Sequence, residues 1–124
     1  MTARSAPTEE WQPVCRLVEL EVARGVTALV HGQAIAIFKV DDETVYALGN
    51  HDPFARASAH AGGIAKGIVG RRGEVPFVAS PAHRHGFDLR TGRCLDDPQV
   101  SVPAYDVKVV EGVVLVGHRK SDAA

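Results

Sequence analysis

Apolar and polar positions alternate along much of this chain with a period of two. Such alternation puts successive side chains on opposite faces of a strand, so it predicts β structure with one face buried. The clearest instance is 104–110, where Tyr105, Val107 and Val109 alternate with Asp106 and Lys108. A turn at Glu111-Gly112 leads into its partner over 113–118. Three further runs, over 25–31, 33–40 and 44–48, are joined at His31-Gly32 and Asp41-Asp42, which predicts an antiparallel meander. In the middle run, Ile35, Ile37 and Lys39 are expected on one face. Residues 12–16 read as a short first strand and 17–24 as room for one helical turn. Residues 67–71 and 75–79 read as a hairpin. Phe87 and Leu89 alternate with Asp88 and Arg90, a half-buried strand closed by the turn dipeptide Thr91-Gly92. About nine or ten short strands and no convincing helix predict an all-β antiparallel sandwich or small barrel. The ordered domain is expected over 11–118, with tails at 1–10 and 119–124.

Two stretches break the alternation. Residues 50–66 hold Pro53 and a run of small residues, and a loop of that length in a compact domain is usually functional. Residues 79–98 crowd two histidines and several turn signals, Ser80-Pro81 and Asp97-Pro98 among them, around Phe87.

Composition narrows the function classes. At 124 residues the chain is one domain, able to bury roughly two-thirds of its unfolded surface without a metal or disulfide. Net charge is −1 and no Lys/Arg run exceeds a pair, so there is no nucleic-acid footprint. Arg71-Arg72 reads as a solvated strand end. No apolar run approaches the ~20 residues that span a bilayer, so no membrane partner is expected. Cys15 and Cys94 form no CxxC, and with no signal peptide they read as reduced thiols of a cytoplasmic protein.

Six histidines raise the question of a metal. His51, His60, His83 and His85 all fall in or beside the two loops, and with Asp52 they could form a two-histidine, one-carboxylate site. The simpler reading is solvated or hydrogen-bonded loop histidines, because none lies in an HxH or HxxxH pair on a defined strand or helix. His31 and His118 read as surface residues at strand ends. Asn50 and Asp52-Pro53 suit a self-capped turn, and Phe54 is either an exposed partner anchor or a plug at the barrel end. There is no nucleophile elbow, no phosphate-cradling glycine loop, and no nicotinamide, flavin or haem motif.

The run Ser80-Pro81-Ala82-His83, followed by Gly86-Phe87-Asp88-Leu89 and Thr91-Gly92, resembles the second half of a Rieske iron–sulfur motif, Cys-Pro-x-His. The matching first half falls on Asn50-His51-Asp52, followed by Pro53-Phe54. The resemblance puts Asn50, Asp52, Ser80 and His83 at the four ligand positions, where only His83 keeps the ligand type. A Rieske cluster takes two cysteine thiolates and two histidines, which Asn, Asp and Ser cannot replace. With Trp11-x-x-Val14-Cys15, Val78-Ala79-Ser80-Pro81 and Cys94-Leu95-Asp96-Asp97-Pro98, the chain resembles the small subunit of cytoplasmic NAD(P)H-dependent nitrite reductase. That family implies a Rieske-like fold with two loops at a vestigial cluster end and no cofactor in this chain. It also implies a large catalytic subunit carrying FAD, an iron–sulfur cluster and sirohaem, which reduces nitrite to ammonium. The loops would then be contact surfaces, with Pro53, Phe54, Pro81 and His85 as candidate contacts. The alternatives are a Rieske-type ferredoxin, a stand-alone metal protein using His51, Asp52, His83 and His85, and a non-redox binding module.

Overall fold

The computed structural model of the chain describes residues 11–54, 63–81 and 84–120. Nine strands run through these residues: β1 Gln12–Arg16, β2 Gly25–Val30, β3 Gln33–Lys39, β4 Val45–Gly49, β5 Ile68–Arg72, β6 Val75–Ala79, β7 Gly86–Asp88, β8 Ala104–Val110 and β9 Val113–Arg119. They form two antiparallel sheets, a six-stranded one in the order β1-β9-β8-β4-β3-β2 and a three-stranded one in the order β5-β6-β7. The predicted meander is β2-β3-β4, and the fold is the expected all-β one.

The large sheet curls until its outer strands β1 and β2 face each other. Gln12 closes the seam with its side chain: Nε2 donates to the Leu29 carbonyl at 3.0 Å, and Oε1 accepts from the His31 amide at 3.4 Å. One apolar core fills the inside of this nearly closed sheet, with Ile35, Ile37, Ala47, Val114 and Val116 at its centre. A second lies between the two sheets and holds Phe38, Leu48, Ile64, Val78, Phe87, Leu89 and Cys94.

β3 contributes to both cores, which departs from the expected single apolar face. Ile35 and Ile37 point into the barrel, while Ala36 and Phe38 are equally buried on the other side. The reason is position: β3 is flanked by β2 and β4 and covered on its second face by the small sheet, so both faces lose water. Lys39 is only half-buried and donates from Nζ to the Leu20 carbonyl at 3.4 Å. The helical turn expected in 17–24 is a 3₁₀ turn at Leu17–Glu19, fastened by the Arg16 amide donating to the Glu19 carboxylate at 2.8 Å. Cys15 and Cys94 are both free and pack against different cores. Burial, with Glu19 nearby, pushes the Cys15 thiol up.

β7 is buried throughout instead of presenting a polar face. Asp88 goes inside because Arg90 folds back onto it: Nε donates to Oδ1 at 3.0 Å and Nη2 to Oδ2 at 2.9 Å. Burial raises the Asp88 carboxyl, but hydrogen bonds from the Arg90 side chain and amide outweigh it, and the net shift is below the ordinary carboxylate range. A group depressed on folding stabilises the protein above its unfolded pKa, about 4, and that contribution is lost as pH falls through the lower folded value. Asp88→Asn is therefore expected to flatten the loss of stability on acidification below about pH 4. Urea denaturation from pH 7 to pH 2 checks this, and identical acid limbs for the two proteins would refute it.

Candidate functional site

The two irregular loops meet at one end of the molecule. The first leaves β4. The Asn50 amide donates to the Ala34 carbonyl at 3.0 Å, which holds the loop's start to β3. The Asn50 carbonyl accepts from Ile64 N at 2.9 Å, and its side-chain Oδ1 accepts from Ala65 N at 2.8 Å. One residue thus anchors a 3₁₀ turn, Gly63–Lys66, that drops Ile64 into the inter-sheet core. Gly63 sits at φ 57° with the Asn50 carbonyl where a Cβ would stand, so no other residue fits without moving the loop. Asp52 then forms a turn on itself, its Oδ1 accepting from Phe54 N at 2.9 Å across Pro53.

The second loop follows β6. The Ser80 amide donates to the His85 carbonyl at 2.9 Å, and the Ser80 carbonyl accepts from Arg84 N at 2.8 Å. Arg84 takes a positive φ of 60° to close this turn. Behind it, Asp96 accepts from Gly86 N at 2.7 Å and pairs with the Arg72 guanidinium at 3.4 Å. The Gly86 hydrogen bond, with Arg72 close by, holds the Asp96 carboxyl below the usual range.

An aromatic stack joins the loops. The rings of Phe54 and His85 lie 3.8 Å apart and 13° from parallel, and Phe87 tilts against Phe54 at 6.2 Å. Phe54 therefore packs onto the inter-sheet core while reaching across to the opposite loop. Beneath the stack, Asp52 and Ser80 are 4% and 1% exposed. Asp52 Oδ2 and Ser80 Oγ find no hydrogen-bond partner among the described residues. Pro53, Pro81 and His51 are exposed.

Of the residues singled out in the sequence, the fold brings Asn50, Asp52, Phe54, Ser80 and His85 together. His60 and His83 lie outside the described residues. His31 and His118 are exposed at strand ends. Arg72 is exposed, as expected of a strand end, but it also stands 5.1 Å over the Phe77 ring and braces Asp96. Nothing in the run Cys94-Leu95-Asp96-Asp97-Pro98 announces the bracing role of Asp96. Nor does the sequence announce the stacking of His85, since a histidine in His-x-His suggests a ligand before it suggests a ring to pack.

Residues 10–117 match the family model of the Rieske-like [2Fe-2S] domain. The chain is 39% identical over 106 residues to the nitrite reductase (NADH) small subunit of Salmonella typhimurium, covering 85% of this chain and 94% of that one. This chain belongs to the nitrite reductase small-subunit family of Rieske-like domains. A crystal structure described as an NADH-dependent nitrite reductase small subunit from Mycobacterium tuberculosis superposes with a TM-score of 0.80 at 42% identity, covering 90% of this chain and 96% of that one. A Klebsiella oxytoca relative, the nitrite reductase [NAD(P)H] large subunit, is 34% identical over 114 residues, which are 92% of this chain but 11% of that one. In that relative the small-subunit module is one segment of a far longer chain.

The Rieske-like frame implies a [2Fe-2S] cluster, and the residues of this small-subunit family member do not fit one. Asn50 Oδ1 is engaged by a backbone amide, Asp52 offers a carboxylate, and Ser80 offers a hydroxyl. None supplies the thiolate that one iron of the pair requires. Cys94 is buried in the inter-sheet core, and the partly buried Cys15 packs against the other. Among the described residues, no group of three His, Cys, Asp or Glu side chains could hold a metal ion. What stands at the cluster end is a hydrogen-bonded and stacked tie between two loops. Asn50→Ala with Asp52→Ala removes two of its hydrogen bonds and is expected to cost about 1–3 kcal/mol. Amide exchange should quicken at Ala65 and Phe54; unchanged melting and protection would mean the side chains do not hold the loop.

Proposed function

We propose that this chain is the small, cofactor-free subunit of a cytoplasmic NAD(P)H-dependent nitrite reductase. It binds a large subunit that carries FAD, an iron–sulfur cluster and sirohaem and reduces nitrite to ammonium. The observation that carries the reading is the 39% identity to a nitrite reductase small subunit across 94% of that protein's length. The Klebsiella oxytoca large subunit, which contains this module within its own chain, supports the pairing. Reducing nitrite to ammonium takes six electrons, and the chemistry of electron storage belongs to cofactors. This chain's residues supply shape instead: Asn50, Asp52 and the Phe54–His85 stack fix the loop end, which presents Pro53, Phe54, Pro81 and His85 to the partner.

The test is to express the tagged chain with and without the large subunit. Purified together, they should form a stable complex with nitrite reductase activity. Purified alone and anaerobically, the chain should be colourless and hold no stoichiometric iron. Two irons per chain with charge-transfer absorption would make it a Rieske ferredoxin and overturn the reading. One bound metal would move the site to His51, Asp52, His83 and His85.

A further inference from the structure

We propose that Asp96 is a positioning residue for the large-subunit contact: it fixes the peptide unit between His85 and Gly86, and with it the angle at which the His85 ring meets Phe54. This rests on the functional reading above and specifies how its contact surface is held in shape.

Both polar ends of that peptide unit are tied. The His85 carbonyl accepts from the Ser80 amide at 2.9 Å. The Gly86 amide donates to Asp96 Oδ2 at 2.7 Å. A peptide is planar, so fixing its carbonyl and its amide together fixes the direction in which the His85 Cα presents its side chain. The ring on that Cα lies 3.8 Å from the Phe54 ring and 13° from parallel. The first tie is main chain to main chain. The second is made by a side chain, and so the stack depends on the identity of residue 96.

The local backbone explains why a carboxylate stands there. Phe87 bridges to Cys94, and the Leu95 amide donates to the Gly86 carbonyl at 2.7 Å, so β7 continues a short ladder with 94–95. The chain then turns at Asp97-Pro98, where the Val100 amide donates to the Asp97 carbonyl at 2.9 Å. Gly86 is buried, and a buried amide needs an acceptor. The Asp96 side chain meets it in place of the next main-chain carbonyl, and its charge makes the bond short.

Asp96 is held in turn. Arg72 Nη1 and Nη2 stand 3.4 Å and 3.5 Å from its two oxygens. The same guanidinium lies 5.1 Å over the Phe77 ring. Gly86 leaves room for it, since a Cβ there would stand 3.2 Å from Arg72 Nη2. A line of contacts thus runs from Phe77 on the small sheet, through Arg72, Asp96 and Gly86, to the stack that joins the two loops.

The experiment follows the full chain by NMR and titrates it against the purified large subunit. Asp96→Ala should quicken Gly86 amide exchange by about tenfold or more relative to β8 amides, as expected when a charge-assisted hydrogen bond is lost. The ring-proton shifts of His85 and Phe54 should move together. Binding should weaken by about fivefold, the loss expected when the stacked geometry falls to about a fifth of the population. Asp96→Asn keeps an acceptor for the Gly86 amide and should restore binding to within about twofold. Glu74→Ala removes the same charge from the exposed β5–β6 turn and should leave exchange, ring shifts and binding unchanged. If Asp96→Ala does not fold, Arg72→Gln replaces it: Arg72 is exposed, and loosening Asp96 should shift the same readings in the same direction. Ring shifts and binding that stay put in Asp96→Ala overturn the inference while the subunit reading stands. So does an Asp96→Asn chain with a protected Gly86 amide that binds as weakly as Asp96→Ala, because the carboxylate would then meet the partner itself. If the unmodified chain does not bind the large subunit, the functional reading fails and this inference with it.

Discussion

Phe87→Ala is expected to lower stability by about 3–5 kcal/mol and to loosen both loops at once. Phe87 is fully buried between the sheets. Its backbone pairs with Val78 on one side and bridges to Cys94 on the other, and its ring tilts against Phe54. Truncation leaves a cavity directly beneath the Phe54–His85 stack, and a rigid strand framework collapses into such a cavity only in part. The effect should therefore spread. Amide exchange should quicken at Phe54 and at Ser80, which belong to different loops, while amides of β8 and β9 on the far core follow only the global loss. Urea denaturation with residue-resolved exchange checks this. A loss below about 1 kcal/mol, or one loop loosening without the other, would show that the stack is not seated on Phe87.

Gly92→Ala is expected to be nearly as damaging although it adds a single methyl group. Gly92 has φ 84°, and its added Cβ would fall on the carbonyl oxygen of Val102. That carbonyl is backbone, held beside the turn by the Val102 amide donating to the Gly92 carbonyl at 2.8 Å. The turn itself is tied by Gly92 N donating to Asp88 O at 2.7 Å. Gly112 supplies the control. Its φ is 81°, yet nothing lies within 4 Å of the position a Cβ would take. Gly112→Ala therefore pays the left-handed backbone penalty alone, about 1–2 kcal/mol. Gly92→Ala adds a displacement of the 100–103 backbone, so it should cost at least about 2 kcal/mol more than Gly112→Ala. Thermal melts of the two variants side by side decide the matter. Equal losses would mean the Val102 segment yields freely.

The strands were legible because alternation and glycine turns are local signals. β8 and β9, with Glu111-Gly112 between them, read directly from Tyr105, Val107 and Val109. The second buried face of β3 did not, because Ala36 and Phe38 look like the outer half of an amphipathic strand until a second sheet is known to cover them. The loops were legible as special but not as built. Asn50 caps amides at positions 64 and 65, and nothing in the intervening small residues announces that partnership. Asp52 and Ser80 are small and polar, so their burial could not be read from type. His85 suggests a ligand because it falls with His83 in one loop. Its neighbour in space is the ring of Phe54, which only the fold supplies.

The Gln12 seam has a consequence for how this protein keeps to itself. Strands at the rim of an open sheet expose unpaired amides and carbonyls that recruit strands from other molecules. Here one glutamine side chain occupies the Leu29 carbonyl and the His31 amide, and Pro13 removes a donor from the opposing rim. A chain cut back past Gln12 would lose this guard while keeping the rim of β2 with its exposed Leu29, and its first fault would be aggregation in solution rather than a change in fold.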